Sequence, residues 1–210
     1  MCTPTFNATI RLRNEMAKKV ILDNTQKNKT YVCGVDVAYR NNIAYCSAVL
    51  MNKDGMEVKH SMNLTLKVKH HYAPTFFMLT ESEPIINILK SLKNRIDILL
   101  IDGHGVLHPR RCGLASYVGV IIDRPTIGVA KSLLCGIVRE NDFIYVDGVT
   151  SGFRLTKEKK KLVYVSVGHK VNLIDAIEIV RQLVKPKEQI PEPLRLAHIN
   201  SKNLATTSIS

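Results

Sequence analysis

Three carboxylates stand where this chain could do chemistry. Asp36 interrupts the apolar run YVCGVDVAY over residues 31–39. Asp102 ends the run IDILLID over residues 96–102 and opens Gly103-His104-Gly105, and Glu81 begins a stretch of helical pattern. A carboxylate among buried strand neighbours must be paired, protonated or bound to a metal. Alternate strand positions face opposite ways, however, so Asp36 between Val35 and Val37 fits a polar strand face equally well. Asp102 lies where a sheet delivers side chains to its C-terminal edge, although Asp is also a common turn former after a strand. Glu81 is favoured at a helix start by the helix dipole alone. Together the three offer hard oxygen donors, which suit Mg²⁺ or Mn²⁺ better than Zn²⁺. Such ions promote phosphodiester hydrolysis by activating water and neutralising the charge that develops on the phosphoryl oxygens.

Two further side chains can serve that chemistry. Lys131, just past a short strand, can meet a scissile phosphate, and His169, after Ser166-Val167-Gly168, can position water or move a proton. A Lys is more often a surface residue and a lone His more often a structural hydrogen-bonding one. The loop GHGVLHPRRCG, residues 103–113, combines three Gly, two His and two Arg and reads as a phosphate-binding loop. Neither a G-x-x-x-x-G-K-[ST] phosphate loop nor a G-x-S-x-G elbow nor a dinucleotide fingerprint occurs, which removes those enzyme classes.

The elements that must position these residues follow from periodicity. Residues 6–22 form an amphipathic basic helix. Runs at 31–39, 43–51 and 56–68, joined by Arg40-Asn41-Asn42 and Lys53-Asp54-Gly55, predict a three-strand antiparallel meander. A helix is expected from Glu81, with Ser82 as cap, Pro84 in the first turn and Ile85, Ile88, Leu89 and Leu92 as its apolar stripe. Then come a strand at 96–102, a helix at 114–122, a strand at 126–130 and apolar runs at 143–149 and 162–167 around a solvated Lys157–Lys161 turn. Asn172 caps a last clear helix that ends before Pro186, and Pro191 and Pro193 introduce a short C-terminal helix or tail. A meander followed by alternating helices and strands argues for an α/β fold, a mixed sheet flanked by helices, of which the ribonuclease H-like arrangement is one example.

Bulk properties agree with a soluble nucleic-acid enzyme. At 210 residues the chain suits one domain, residues 1–210, with a flexible tail from about residue 200. Thirty Lys and Arg against 18 Asp and Glu give a net charge of +12, which favours polyanionic partners. The five Cys are scattered without a C-x-x-C pair, so a reducing, cytoplasmic setting is expected, and no apolar run is long enough for a membrane span.

At this point the motifs form a pattern. Gly34-Val35-Asp36-Val37, Asp102-Gly103-His104-Gly105, His108-Pro109-Arg110-Arg111, Pro125 through Lys131, Ser166-Val167-Gly168-His169 and Ile190 through Ala197 occur in order. The chain resembles the endonuclease V family from about residue 31 to 200, most specifically over 101–136. That resemblance implies Asp36, Glu81 and Asp102 as metal ligands, with Lys131 and His169 as supporting catalytic residues and Mg²⁺, replaceable by Mn²⁺, as cofactor. It further implies hydrolysis of the second phosphodiester bond 3′ to deoxyinosine in DNA, leaving 3′-hydroxyl and 5′-phosphate ends, without excision of the base.

The family's Pro-Tyr-Ile-Pro strand-parting wedge corresponds to His71-Tyr72-Ala73-Pro74, which keeps Tyr72 and Pro74. Its lesion pocket corresponds to Gly103, His104 and Gly105 with Leu107 and His108. Two departures stand out: His71 replaces the first Pro, and Thr75 through Glu81 reads TFFMLTE where the family has Gly-x-x-x-Phe-Arg-Glu. Glu83 is accordingly the alternative third ligand. The expected enzyme is a Mg²⁺-dependent, monomeric DNA repair nickase acting on DNA with deaminated bases. A same-fold nuclease for inosine-containing RNA or branched DNA, and a noncatalytic nucleic-acid-binding protein, are the alternatives.

Overall fold

A computed structural model describes residues 6–24, 30–54, 56–68, 77–92, 96–157 and 160–207. The meander forms as β1 (Tyr31–Arg40), β2 (Ile43–Asn52) and β3 (Glu57–Lys67). Asn41 and Asn42, both at positive φ, make the two-residue turn between β1 and β2. The outer strand β3 alternates half-buried and exposed positions over most of its length and carries Lys59 and Lys67 outward, as an edge strand needs in order to resist further pairing.

β4 (Ile98–Asp102) and β5 (Thr126–Ala130) run parallel to β1, with α2 (Phe77–Ser91) and α3 (Leu114–Ile122) as the crossovers. Ile98 through Ile101 are fully buried, as expected of a central strand covered on both faces. β6 (Ile137–Val138), β7 (Phe143–Val146), β8 (Val149–Lys157) and β9 (Lys160–His169) extend the sheet, and α4 (Leu173–Leu183) and α5 (Glu192–Thr207) follow. The sheet order is β3-β2-β1-β4-β5-β9-β8-β7-β6, with β9 antiparallel to β5. An antiparallel meander continued by two parallel strands is the ribonuclease H-like core, here widened by four strands.

The two sheet faces have separate cores. Cys33, Val35 and Ile101 pack with Ile85, Ile88 and Val118 of α2 and α3. On the other face Val32, Ile98 and Leu100 pack with Ala176, Ile177, Val180 and Leu183 of α4 and with Leu194 of α5. The amphipathic helix expected over 6–22 is α1 (Phe6–Lys18). No described helix is long and apolar enough to cross a membrane.

Two expectations are corrected. The second helix starts at Phe77 rather than Glu81, so Ser82 is a buried residue inside α2 and no cap, and Pro84 lies in its interior. Proline lacks the N–H that would bond the carbonyl four residues earlier, and the Tyr39 hydroxyl donates to that carbonyl, Thr80 O, at 3.3 Å. The tail expected from residue 200 is instead the second half of α5, whose buried positions Leu194, Ala197, Ser201 and Ala205 keep helical spacing.

α5 is fixed at its first residue. Glu192 is only 3% exposed and accepts three bonds, from Lys185 Nζ at 2.8 Å and from Arg195 Nε and Nη2 at 2.7 and 2.9 Å. The Arg195 bonds, with help from Lys185, hold the Glu192 carboxyl below its usual range. A depressed carboxylate contributes stability above its unfolded value, near 4.3 for Glu, and loses it as pH falls through the folded value. Glu192→Gln should therefore cost about 1.5 kcal/mol at pH 7, the low end for hydrogen bonds to charged groups because the partners stay partly exposed. In thermal melts the deficit of about 3–6 °C should shrink as the pH falls below the unfolded value of about 4.3; a deficit independent of pH would assign the loss to packing instead.

Candidate active site

The parallel pairing of β1 with β4 sets the site. Val35 stands opposite Ile101, so Asp36 and Asp102, one residue further along each strand, reach the same sheet edge. Gly34 and Asp36 share a strand face. A Cβ on Gly34 would come within 2.3 Å of the Pro193 carbonyl carbon, so only glycine lets α5 lie this close to β1. α5 then places His198 and Ser201 over Asp36. Ser201 Oγ donates to Asp36 Oδ2, and His198 Nδ1 lies 3.3 Å from the same oxygen. Asp36 is thereby held at 9% exposure on the α5 face, not on a solvated one.

Asp36, Glu81 and Asp102 line one cleft of about 610 Å³, together with Lys131, His198 and Lys202. Glu81 enters from the second turn of α2. Burial, and then the charges of Asp102 and Asp36, push its carboxyl up to about 8. Glu83, the alternative ligand, is exposed and does not line the cleft. Lys131 Nζ lies 2.8 Å from Asp102 Oδ2. Among the described residues no three His, Cys, Asp or Glu side chains close into a finished metal cage. The donor set nevertheless fits a hard divalent cation: it is all carboxylate oxygen, and the burial and charge repulsion that disfavour the Glu81 carboxylate are what such a cation offsets.

The loop after β4 contributes unequally. Gly103, His104 and His108 line the cleft. His104 Nε2–H donates to Ser132 O at 3.0 Å, and burial lowers its pKa. His108 is pushed down to about 4 by burial first, then by the charges of Arg13, His104 and Arg110. Both rings are therefore neutral at pH 7. Gly105 and Leu107, expected in the lesion pocket, are packed inward instead. Gly105 N donates to Ser166 Oγ, and a Cβ there would lie 1.9 Å from Val167 O. Leu107 is fully buried among Ile144, Val146 and Tyr164. Tyr72 and Pro74 lie outside the described residues.

His169 is the largest correction. It pairs with Thr126 at the start of β5, whereas Lys131 follows its end, roughly 17 Å away along the strand. It is 2% exposed; its Nδ1 accepts from Ile21 N at 3.2 Å and its Nε2 lies 3.5 Å from Asp123. The histidine beside a carboxylate of the cleft is His198, 3.3 Å from Asp36, which follows the Ile190–Ala197 motif by one residue. The period of Leu194, Ala197, Ser201 and Ala205 was the available sign that the motif continues as a helix.

Comparison with known proteins identifies the family and the fold. Residues 14–199 match the Endonuclease V family model. The chain belongs to the endonuclease V family. It is 37% identical over 205 residues to endonuclease V of Dictyoglomus thermophilum, covering 94% of this chain and 90% of that protein. The fold superposes on the crystal structure of endonuclease V from Bacillus subtilis with a TM-score of 0.88, at 23% identity and covering 98% of this chain and 94% of that one. It also superposes on Ciona intestinalis endonuclease V in complex with a 24mer DNA containing an inosine followed by a ribo-adenosine, with a TM-score of 0.84 at 25% identity, covering 94% and 96% of the two chains.

The two histidines can be separated by experiment. His198→Ala should lower strand cleavage by about 10²-fold or more, the range for a positioned acid or base, with little change in melting temperature. His169→Ala should lower the melting temperature by several degrees and leave kcat within about threefold. The reverse pattern in paired melts and single-turnover assays would restore His169 to the active site.

Proposed function

We propose that this protein is a divalent-metal-dependent repair endonuclease that hydrolyses the second phosphodiester bond 3′ to deoxyinosine in DNA, leaving 3′-hydroxyl and 5′-phosphate ends. The observation that carries this reading is the convergence of Asp36, Glu81 and Asp102, with Lys131 beside Asp102, in one cleft of an endonuclease V chain. The Ciona intestinalis relative, crystallised with inosine-containing DNA, supports the choice of lesion.

Asp36, Glu81 and Asp102 are the residues that would hold the cation, Mg²⁺ with Mn²⁺ as substitute. When bound, it supplies Lewis-acid charge and lowers the pKa of attached water. The protein's own groups do the rest. Lys131 sets a fixed positive charge at the edge where negative charge grows on the phosphoryl oxygens. His198, steadied against Asp36, is placed to hold or pass a proton. Glu81 would be the ligand from α2, its carboxylate form favoured by the added positive charge. The neutral rings of His104 and His108 offer hydrogen bonds and stacking to an uncharged base without ionic competition, which suits an expelled hypoxanthine. Tyr72 and Pro74 fit the role of a wedge that stabilises the unstacked step, and a weakly pairing lesion costs least to extrude.

The direct test uses an end-labelled duplex with one deoxyinosine, with Mg²⁺ or EDTA, beside an undamaged duplex and an inosine RNA. A Mg²⁺-dependent cut at the second bond 3′ to the lesion, preferring DNA, is expected. Cleavage of the RNA alone would instead make this a ribonuclease, and no cleavage at all would overturn the enzymatic reading. Asp36→Asn and Asp102→Asn should each lower nicking at least about 10²-fold while inosine-duplex binding stays within a few fold; unchanged turnover would remove them from the site. Tyr72→Ala should weaken discrimination between damaged and undamaged duplex more than it weakens nonspecific binding. An equal loss on both duplexes in anisotropy titrations would sink the wedge assignment.

A further inference from the structure

We propose that Arg13 of α1 is a phosphate seat of the cleft, taking a backbone phosphate of the bound nucleic acid across from the carboxylates. The proposal rests on the endonuclease reading above for its ligand and on this chain's own geometry for its site, because Arg13 lies just before the stretch that matches the family model.

Arg13 lines the same cleft as Asp36, Glu81 and Asp102, although it comes from the first helix. Its Nε is buried and has no hydrogen-bond partner, and among the described residues no carboxylate pairs with its guanidinium. The groups that act on it electrostatically are the Cys112 thiol and a like charge, Arg110. A guanidinium drawn partly out of water with no anion opposite it is costly. Its planar fork of donors matches the oxygens of a phosphate. The anion that the cleft exists to admit satisfies that need.

α1 is held firmly enough to present it. Thr9, one turn earlier on the same helix face, is 1% exposed. After the helix, Val20 packs on the core shared by α4 and α5. Ile21 is gripped at both polar atoms, its N–H donating to His169 Nδ1 at 3.2 Å and its carbonyl accepting from Lys170 N at 2.7 Å. His169 thus has a positioning task in keeping with its burial, as a strut at the base of α1. Arg13 thereby gives the carboxylate-lined cleft an unpaired cation of its own, with Arg110 exposed nearby.

The test is binding without chemistry. Anisotropy titrations in EDTA would compare the full chain with Arg13→Gln and Arg13→Lys on inosine-containing and undamaged duplexes over a range of salt. For Arg13→Gln the Kd should rise about five- to tenfold, equally on both duplexes. The slope of log affinity against log salt should fall by about 0.9, the value for one lost phosphate contact. Arg13→Lys, which keeps the charge, should recover the slope and most of the affinity. Unchanged affinity and slope for Arg13→Gln would overturn the assignment. So would a loss confined to the inosine duplex, which would make Arg13 a reader of the base, or an equal loss of slope in Arg13→Lys. Nicking by the unmodified protein is scored separately, so failure of the endonuclease reading and failure of the phosphate seat give different results.

Discussion

Two neighbouring parallel strands deliver Asp36 and Asp102 to one edge of the sheet, and the surrounding structure is arranged around the repulsion that this creates. The register is pinned at the far end of the same strands, where the buried Asp97 accepts from Thr30 N and Tyr31 N, each at 3.0 Å. A slip of one residue would turn Asp36 to the opposite face, so that remote carboxylate is a condition of the active one. Glu81 joins the pair from α2, and its carboxyl is pushed up to about 8 by its burial and by their charges. Lys131 after β5, and Ser201 and His198 of α5, offset the crowding. A site built this way is most stable with an added positive charge in it, such as Lys131 brings to Asp102.

Close packing converts this edge into a cleft. Because Gly34 has no side chain, α5 lies directly on β1, and the helix that covers the sheet also carries the groups that touch Asp36. Fold stability and site geometry therefore share the same contacts. Loosening the Glu192 anchor or filling the space over Gly34 acts on both at once, whereas the β6–β9 extension lies on the far side of β5 and widens the sheet without bringing a carboxylate to the cleft. The α2 helix solves a related problem. Pro84 interrupts its backbone ladder, and the Tyr39 hydroxyl, three residues beyond Asp36 on β1, donates to the carbonyl at the break. The helix turn that bears Glu81 is thus fastened to the strand that bears Asp36.

Much of this was legible in the sequence because the relevant signals are local. Period-two runs and the Asn41-Asn42 turn give the meander, α3 and β5 appear at the predicted residues, and Asn172 does cap α4, its side chain accepting from Asp175 N at 2.8 Å. Asp36, Glu81, Asp102 and Lys131 were recognisable by motif and do meet in the cleft. What failed was information about distance through space. His169 follows a glycine in a family motif, but strand β9 runs antiparallel to β5 and carries it to the wrong end. His198 sits in a helix that the flanking prolines made look like a tail. Gly105 and Leu107 belong to a binding loop by sequence, yet packing against β9 decides which of its residues face inward. Arg13 gave no signal, because a basic residue on an amphipathic helix looks the same whether it faces water or a cleft.

The last case shows why net charge predicts a partner class but not a binding surface. A charge of +12 favours polyanions wherever it lies. Several of the contributing cations are neutralised locally at the surface, Lys18 by Glu15, Lys59 by Glu57 and Arg154 by Asp142, and such pairs are worth little either to stability or to a ligand. Among the described residues Arg13 and Arg110 have no such partner; Arg13 lines the carboxylate cleft, and Arg110 is exposed nearby. A phosphate backbone approaching the cleft meets uncompensated positive charge on one side and a cation-demanding carboxylate cluster on the other. Neither side alone would hold a polyanion at cutting distance, since the carboxylates repel it and the arginines carry no chemistry. The opposition of the two, set by where α1 is strapped to β9, makes the basic composition useful to a nuclease.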